Sequence, residues 1–150
     1  EMYSMGTVRK TPPGAGTPAV PFIQDTHFQG PRGEIVRIRS IFDDGSMTNA
    51  IDADMFDAVA HRLSPLAPSP QRLRMANGTI VPSKGRWEGH VTIGGLPVYA
   101  RFEVFPSGGS WSVLVGKPLL IALNATHTYG ADTISLPTIR APVILTNKAN

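Results

Sequence analysis

The feature that most constrains the fold is a β-type run that ends abruptly in two carboxylates and a glycine. Residues 34–42 (EIVRIRSIF) are rich in β-branched and aromatic residues, and residues 43–46 (DDGS) follow at once. This pattern predicts a strand that ends in a tight turn. A carboxylate directly after a buried strand is costly to desolvate, so Asp43 indicates a functional use. By itself, Asp-x-Gly also fits an ordinary loop in which Asp43 only caps the turn.

A second strand that ends in a glycine lies near the C-terminal end of the chain. Residues 111–120 (WSVLVGKPLL) consist of an apolar strand, Gly116, and a proline suited to the first turn of a helix. We expect this helix to span residues 118–124. A final hairpin is predicted from residues 126–129 and 133–136, which flank Gly130.

The segment between these two elements predicts one helix and two hairpins. Asp52 is placed to cap the helix. The apolar positions of the helix recur at helical spacing at Met55, Phe56, Val59, Ala60 and Leu63. Residues 64–70 (SPLAPSP) end it. Asn77-Gly78 predicts a hairpin within residues 73–81, and Gly94-Gly95 joins predicted strands at 87–93 and 96–105.

The two ends of the chain differ in composition from its middle. Residues 1–25 are rich in Pro, Gly and Thr and predict a leader or linker. Residues 26–137 are expected to form the folded domain, and residues 138–150 a tail. The apolar run at 143–145 within that tail fits either an edge strand or a linker.

Composition favours one small domain built from many short strands. The chain has 150 residues, 41% of them hydrophobic and 17% charged, with 14 Pro and 15 Gly, which suits strands and turns better than a helical bundle. The absence of cysteine excludes disulfides and thiolate zinc sites. A net charge of +3 with scattered basic residues argues against nucleic-acid binding.

The sequence also predicts where the protein is found. No apolar stretch is long enough to span a bilayer, and the N-terminal residues lack the apolar core of a signal peptide. We therefore expect an intracellular, cytoplasmic protein without a membrane partner. Because the chain begins with Glu1 and not Met, we expect it to be excised from a longer protein, whose remaining part could hold a targeting signal.

Acidic residues gather around the Asp-x-Gly turn without basic residues among them. This set consists of Asp43, Asp44, Asp52, Asp54 and Asp57. It lacks the ligand spacing and terminal Glu of a known calcium loop. The histidines, which are His27, His61, His90 and His127, have no metal-ligand spacing. We expect them to be surface or satisfied groups, Trp87 and Trp111 to be core or interface residues, and no metal or cofactor to be required.

The order of these parts resembles the retropepsin family of aspartic proteases, and most closely the proteases of gypsy-type LTR-retrotransposon polyproteins. The resemblance rests on IFDDGSMTNAI, LRMANGTIVPSKG and SVLVGKPLL in this order, and it runs from roughly Gly33 to Leu136. It implies that Asp43 is catalytic and that Asp44, Gly45 and Ser46 form the active-site loop. The implied flap, a mobile hairpin over the substrate, consists of Met75, Ala76, Asn77, Gly78 and Thr79. The implied second glycine motif is Leu114, Val115 and Gly116.

The resemblance implies an all-β, retropepsin-like closed barrel with two short helices, one lobe per chain. Aspartic-protease chemistry needs one carboxylate as base and a second, protonated one to polarise the scissile carbonyl. One chain offers a single Asp-x-Gly, so a homodimer with paired Asp43 residues is expected. The implied function is an aspartic endopeptidase that hydrolyses peptide bonds and processes a retrotransposon-type polyprotein.

Asp44 departs from the commonest family pattern, in which the residue after the catalytic Asp is Thr or Ser. A carboxylate cannot donate a hydrogen bond unless it is protonated. Asp44 therefore either holds a proton or turns away and accepts local amide hydrogens. The alternative function that follows is a catalytically weak or inactive retropepsin-like module for dimerisation or peptide binding.

Overall fold

The computed structural model describes residues 19–75 and 77–149, together with the backbone of residues 2–4. The strands within these residues are β1 Met2–Ser4, β2 Phe22–Gln29, β3 Ile35–Phe42, β4 Ala50–Asp52, β5 Arg72–Arg74, β6 Ile80–Pro82, β7 Arg86–Ile93, β8 Leu96–Phe105, β9 Val113–Val115, β10 Thr126–Thr128, β11 Thr133–Leu136 and β12 Val143–Thr146. The helices are α1 Ala53–Val59, which continues into a 3-10 turn at Ala60–Arg62, and α2 Lys117–Ala122. The all-β prediction with two short helices is confirmed.

Six strands close into a barrel in the order β2-β3-β9-β4-β8-β7. β2 pairs antiparallel with both β3 and β7, which closes the barrel. β9 lies between β3, to which it is parallel, and β4, to which it is antiparallel. The two strands that lead into and out of the 43–49 loop are therefore separated by the strand that carries the second glycine motif.

The barrel is filled by large aromatic side chains. Phe28, Trp87 and Phe102 are fully buried, with ring centroids 5.0 to 6.1 Å apart in tilted or edge-on arrangements. Such offset and edge geometries suit the ring quadrupoles, and each buried ring adds roughly 1.5–3 kcal/mol of hydrophobic stabilisation. The prediction that Trp87 belongs to the core is confirmed.

Helix α1 begins where the sequence predicts it. The Asp52 carboxylate accepts a 3.1 Å hydrogen bond from the Met55 amide as the N-cap, and it accepts a second one of 2.8 Å from the Ser107 amide. Burial works to raise the pKa of Asp52, but these hydrogen bonds outweigh it, so the pKa lies below its usual value. The predicted continuation to Leu63 is wrong in part, because the α-helix ends at Val59 and a 3-10 turn follows.

The described strands extend beyond the predicted limits of the domain on both sides. β2 begins at Phe22, so the predicted boundary between residues 25 and 26 falls inside a barrel strand. β12 pairs antiparallel with β11, which places the apolar run of the predicted tail at the edge of a three-stranded sheet with β10. Edge pairing is therefore the correct one of the two alternatives for residues 143–145.

The residues after β12 fasten this sheet to the start of β2. Asn147 is 7% exposed, accepts hydrogen bonds from the amides of Ile23 and Ala149, and donates to the carbonyl of Pro21 and to a carboxylate oxygen of Asp132. The next residue, Lys148, forms a 2.8 Å ion pair with Asp25 on β2. We call residues 143–149 the C-terminal clasp.

Candidate active site

Asp43 lies at the point where two parallel strands end together. Ile41 and Phe42 of β3 are in register with Leu114 and Val115 of β9. The Asp43 amide continues this ladder by donating a 2.9 Å hydrogen bond to the Val115 carbonyl. The backbone of Asp43 is therefore fixed by the strand that carries the second glycine motif.

The turn after Asp43 is closed by its own side chain. One carboxylate oxygen of Asp43 accepts a 2.9 Å hydrogen bond from the Gly45 amide, and its carbonyl accepts one of 3.1 Å from Ser46. This is the Asx-turn chemistry that makes Asp a common turn residue. Asp43 is half-buried, whereas Asp44 and Gly45 are exposed. The turn-capping role and a chemical role for Asp43 are compatible, because a carboxylate has two oxygens that accept hydrogen bonds.

The Asp43 loop and the second glycine motif touch backbone to backbone. A side-chain Cβ on Gly116 would lie 2.2 Å from the carbonyl oxygen of Thr48 and 2.9 Å from that of Ser46. The Ser46 carbonyl accepts a 2.9 Å hydrogen bond from the amide of Lys117, and the buried Ser46 hydroxyl donates to the Thr48 carbonyl at 2.7 Å. Glycine is thus required at position 116 because the two backbones approach closely. Its backbone conformation is not the reason, because any residue can adopt a φ of −93°.

Asn49 is a site residue that sequence reasoning missed. Its side-chain oxygen accepts a 2.9 Å hydrogen bond from the Gly116 amide, and its side-chain nitrogen donates at 3.0 Å to the Arg101 carbonyl. Its own carbonyl accepts a hydrogen bond from the Glu103 amide. The signal available in the sequence was an amide residue directly before the apolar start of β4, where a polar group needs a partner if it is buried.

The predicted flap forms a hairpin between β5 and β6. The Met75 amide donates a 2.7 Å hydrogen bond to the Thr79 carbonyl, and Gly78 adopts a φ of 88°, which glycine accepts readily. The Asn77 side chain accepts a hydrogen bond from the Thr79 amide at 2.9 Å. The predicted hairpin at Asn77-Gly78 is confirmed, and the predicted flap residue Ala76 lies outside the described residues.

Apolar packing joins this hairpin to the strands that end at the candidate site. A buried cluster combines Leu73 of β5, with Met75 and Val81 packed against it, and Leu114 of β9 with Ile41 of β3. Ala50, Phe105 and Trp111 complete the cluster, so the prediction that Trp111 is a core or interface residue is confirmed for the core. The hairpin root is therefore coupled to the two strands that position Asp43.

A cavity of about 350 Å³ opens beside Asp43. Its apolar wall consists of Phe22, Phe42, Leu120, Ala125 and Ile134. Its titratable groups are Asp43, Asp44, His127 and Tyr129. The described lining therefore comes from β2, the end of β3, the Asp43 loop, α2 with the residue before β10, and the β10–β11 hairpin. It includes none of the described flap residues.

The Asp44 carboxylate is held by a tyrosine from the β10–β11 hairpin. The Tyr129 hydroxyl donates a 3.1 Å hydrogen bond to Asp44, and this bond together with the Asp44 charge raises the pKa of Tyr129. The sequence predicted that Asp44 either holds a proton or accepts hydrogen bonds from local amides. Neither alternative named Tyr129 as the donor, because it lies 85 residues away in the sequence. No local sequence signal marks Tyr129 as a partner.

His127 lies behind Tyr129 in the wall of the cavity. Its ring centroid is 4.2 Å from that of Tyr129 and 5.4 Å from that of Phe22, and its Nε2 lies 2.9 Å from an Asp132 carboxylate oxygen. The hydrogen bond from Asn147 is the main cause of a lowered pKa at Asp132, and the contact with His127 acts in the same direction. The prediction of a satisfied side chain is correct for His127, which sequence reasoning did not place near Asp43.

No group of three His, Asp or Glu side chains that could hold a metal ion occurs within residues 19–75 and 77–149. In the same part of the chain, no helix is long and apolar enough to cross a membrane.

Comparison with known proteins gives matches to solved structures. No protein-family model matches the sequence, and no curated protein sequence matches it either. The crystal structure of the retroviral protease-like domain of Ddi1 from Leishmania major superimposes with a TM-score of 0.62 at 12% identity, over 88% of this chain and 99% of that one. A protein of unknown function from Legionella pneumophila gives a TM-score of 0.42 at 7% identity, over 69% of this chain and 87% of that one.

The first of these likenesses shows the fold. The chain has a mostly β structure with a six-stranded barrel that matches the retropepsin-like fold. The fold predicted from the order of the motifs is thus confirmed. The closeness to gypsy-type proteases, the dimer and the catalytic role of Asp43 stay predictions.

Proposed function

We propose that this protein is an aspartic endopeptidase in which Asp43 residues of two chains activate a water molecule. The observation that carries the proposal is the position of Asp43, which is half-buried at the end of paired strands, fixed through its backbone, and open to a cavity of about 350 Å³. A retropepsin-like fold that presents an Asp-x-Gly turn in this setting favours aspartic-protease chemistry over other hydrolytic classes.

The proposed mechanism needs two carboxylates with different protonation states. One Asp43 removes a proton from water while the other, protonated, donates a hydrogen bond to the scissile carbonyl. Two carboxylates a few ångströms apart cannot both ionise readily, so they share one proton. One chain supplies one Asp43, so the active form is a homodimer. The Gly45 amide bonded to Asp43 holds the carboxylate plane as the proton moves.

The proposed substrate is a peptide segment in an extended conformation. The β5–β6 hairpin, packed on the strands that end at Asp43, offers backbone groups to such a segment and excludes water when it closes. The sequence resemblance further supports a polyprotein of retrotransposon type as the natural substrate, processed inside the cell after release of this chain from the same precursor.

The test is peptide cleavage by the purified protein. We expect cleavage of a mixed peptide library under mildly acidic conditions and its inhibition by the transition-state analogue pepstatin. Asp43→Asn keeps the side-chain shape but removes the base, so the rate should fall by about 10²–10⁴-fold while the fold is kept. Asp57→Asn, which removes an exposed carboxylate from α1, is the matched control and should cleave normally. Unchanged turnover in Asp43→Asn would place the chemistry elsewhere.

The homodimer has a test of its own. Adding an equal amount of Asp43→Asn protein to wild type should halve the cleavage rate per wild-type chain, since half of the wild-type chains then pair with inactive partners. Sedimentation at micromolar concentration should show a dimer. A wild-type rate unaffected by added variant, together with a monomer in sedimentation, would overturn the dimeric mechanism.

A second candidate function is a retropepsin-like module for dimerisation or peptide binding with weak or no catalysis. The observation that favours it is Asp44, which places a carboxylate bonded to Tyr129 where the commonest family pattern has a hydroxyl. Binding of library peptides without any cleavage, equally in wild type and Asp43→Asn, would favour this module over the enzyme.

A further inference from the structure

A hydrogen bond from the Tyr129 hydroxyl to Asp44 connects the β10–β11 hairpin to the Asp43 loop. Asp44 is the neighbour of Asp43 in the chain, and both carboxylates line the same cavity as the tyrosine ring. Whatever fixes Asp44 therefore also affects where its charge lies relative to Asp43. This makes the origin of the Tyr129 position important.

Tyr129 is itself fixed from two directions, although its side chain is 70% exposed. Its carbonyl accepts a 3.1 Å hydrogen bond from the Asp132 amide, which closes the turn between β10 and β11. Its ring lies against the His127 ring, which is bonded to Asp132, and Asp132 is bonded to Asn147 of the C-terminal clasp. The phenol is thus pre-positioned for Asp44 by the hairpin and by the clasp behind it.

The charges around this contact are unbalanced. The titratable groups that face the cavity are Asp43, Asp44, His127 and Tyr129, and Asp132 lies behind His127. A free Asp44 carboxylate next to Asp43 would oppose ionisation of the catalytic pair and would repel its symmetry mate in a dimer. A phenol that donates to Asp44 holds that charge toward the hairpin.

We propose that Tyr129 is a positioning residue that anchors Asp44 and thereby keeps the Asp43 turn in its active geometry. This inference rests on the proposed endopeptidase function and names a residue outside the family-like motifs. The β10–β11 hairpin of the same chain thus supplies the hydroxyl that donates to the carboxylate at position 44.

The contact is tested first by titration of the tyrosine. The Tyr129 phenol should titrate above the usual range for tyrosine in wild type, followed by its ring carbon signal in NMR. Asp44→Asn removes the charge, so the Tyr129 pKa should fall toward its ordinary value. Glu88→Gln, which changes the carboxylate partner of Tyr99, should leave Tyr129 unchanged. A Tyr129 titration that is the same in wild type and Asp44→Asn would overturn the inference.

The positioning role is tested next by Tyr129→Phe, with Tyr99→Phe as the matched control. Tyr99 is also exposed and its hydroxyl also bonds a carboxylate, Glu88, on the neighbouring strand β7. Tyr129→Phe should lower the cleavage rate about two- to tenfold near neutral pH, as expected for one lost hydrogen bond. Tyr99→Phe should have no effect on the cleavage rate.

Rescue separates positioning from simple packing. In an Asp44→Thr background no carboxylate needs an anchor, so Tyr129→Phe should cause no further loss. An equal loss in both backgrounds would mean that the tyrosine only packs, and the inference would be wrong.

An activity-independent measurement distinguishes failure of this inference from failure of the proposed function. The Ser46 amide, bonded to the Asp43 carbonyl, should exchange its hydrogen about two- to tenfold faster in Tyr129→Phe and at the wild-type rate in Tyr99→Phe. If wild type cleaves no peptide but this exchange changes as expected, the endopeptidase proposal falls and the positioning role stands. Exchange that is unchanged in Tyr129→Phe overturns the positioning role, whether or not wild type cleaves.

Discussion

The side-chain oxygen of Asn49 accepts a 2.9 Å hydrogen bond from the amide of Gly116, which lies 67 residues away in the sequence. The same side chain donates to the Arg101 carbonyl on β8. One amide group therefore connects the loop after Asp43, the turn before α2 and a third barrel strand. Because Asn49 is only 5% exposed and Gly116 is buried as well, the Gly116 amide has no easy substitute in water for this partner.

Asn49→Ala should destabilise the protein by about 2–4 kcal/mol, because it leaves a buried amide hydrogen at Gly116 and a carbonyl at Arg101 without their partner. Chemical denaturation measures this change. Asn77→Ala removes an exposed hydrogen bond to Thr79 at the tip of the β5–β6 hairpin and should cost well under about 1 kcal/mol. Equal losses in the two variants would contradict the bridging role of Asn49.

Features that depend on local chemistry could be read from the sequence. Asp52 caps α1 because its side chain reaches an amide three residues later, and Asn77-Gly78 forms a turn because glycine accepts a positive φ. The strand that ends at Asp43 and the glycine of the second motif are likewise marked by neighbouring residues. Such signals act within one turn or one strand and need no knowledge of the fold.

Features that depend on the closed barrel could not be read in this way. Asn49 and Tyr129 meet their partners only because β9 inserts between β3 and β4 and because the β10–β11 hairpin folds back over the Asp43 loop. Asn147 likewise meets Ile23 only because the C-terminal clasp packs against the start of β2. An isolated polar residue in a sequence predicts that a partner is needed once it is buried, but not which partner.

Gly116→Ala should disrupt the candidate site. The added Cβ would lie 2.2 Å from the Thr48 carbonyl oxygen, so the Asp43 loop or the start of α2 must shift. We expect the unfolding free energy to fall by at least the roughly 1–3 kcal/mol that is typical of overpacking. We also expect the variant to lose any peptide cleavage. Thermal denaturation and the peptide assay measure the two effects.

Gly130→Ala is the control for that substitution. A Cβ at Gly130 meets no atom within 4 Å, so the variant should unfold within about 0.5 kcal/mol of wild type. If Gly116→Ala proves as stable as Gly130→Ala, the close approach between the two loops does not exist in solution.

Asn147→Ala should loosen the C-terminal clasp, with a loss of about 2–4 kcal/mol, because four hydrogen bonds of a buried side chain are removed together. Part of that loss should depend on pH. The bond from Asn147 is the main cause of the lowered pKa of Asp132, so its contribution is present above the ordinary aspartate range near 4 and disappears as Asp132 takes up a proton.

The difference in unfolding free energy between wild type and Asn147→Ala should therefore be larger at pH 6 than near pH 2, with these two conditions chosen about two units either side of the unfolded aspartate value. Urea denaturation at both pH values measures it. A difference that stays constant across this range would mean that Asn147 acts through its backbone partners alone.

Asp44→Thr should extend dimerisation and cleavage toward neutral pH. In the proposed dimer an Asp44 carboxylate, held toward the β10–β11 hairpin by Tyr129, still flanks each Asp43 of the pair at the axis. Each ionisation makes the next harder, so the four carboxylates hold protons as a group. Dimerisation and peptide cleavage by the wild type should then both be greatest under mildly acidic conditions, and both should fall as those protons are lost at higher pH. Threonine removes two of the charges and restores a neutral hydroxyl. Sedimentation and peptide cleavage across the pH range measure the effect, with Asp57→Asn as the control for loss of an exposed charge. Wild-type profiles retained in Asp44→Thr would show that the Asp44 charge does not act on the Asp43 pair.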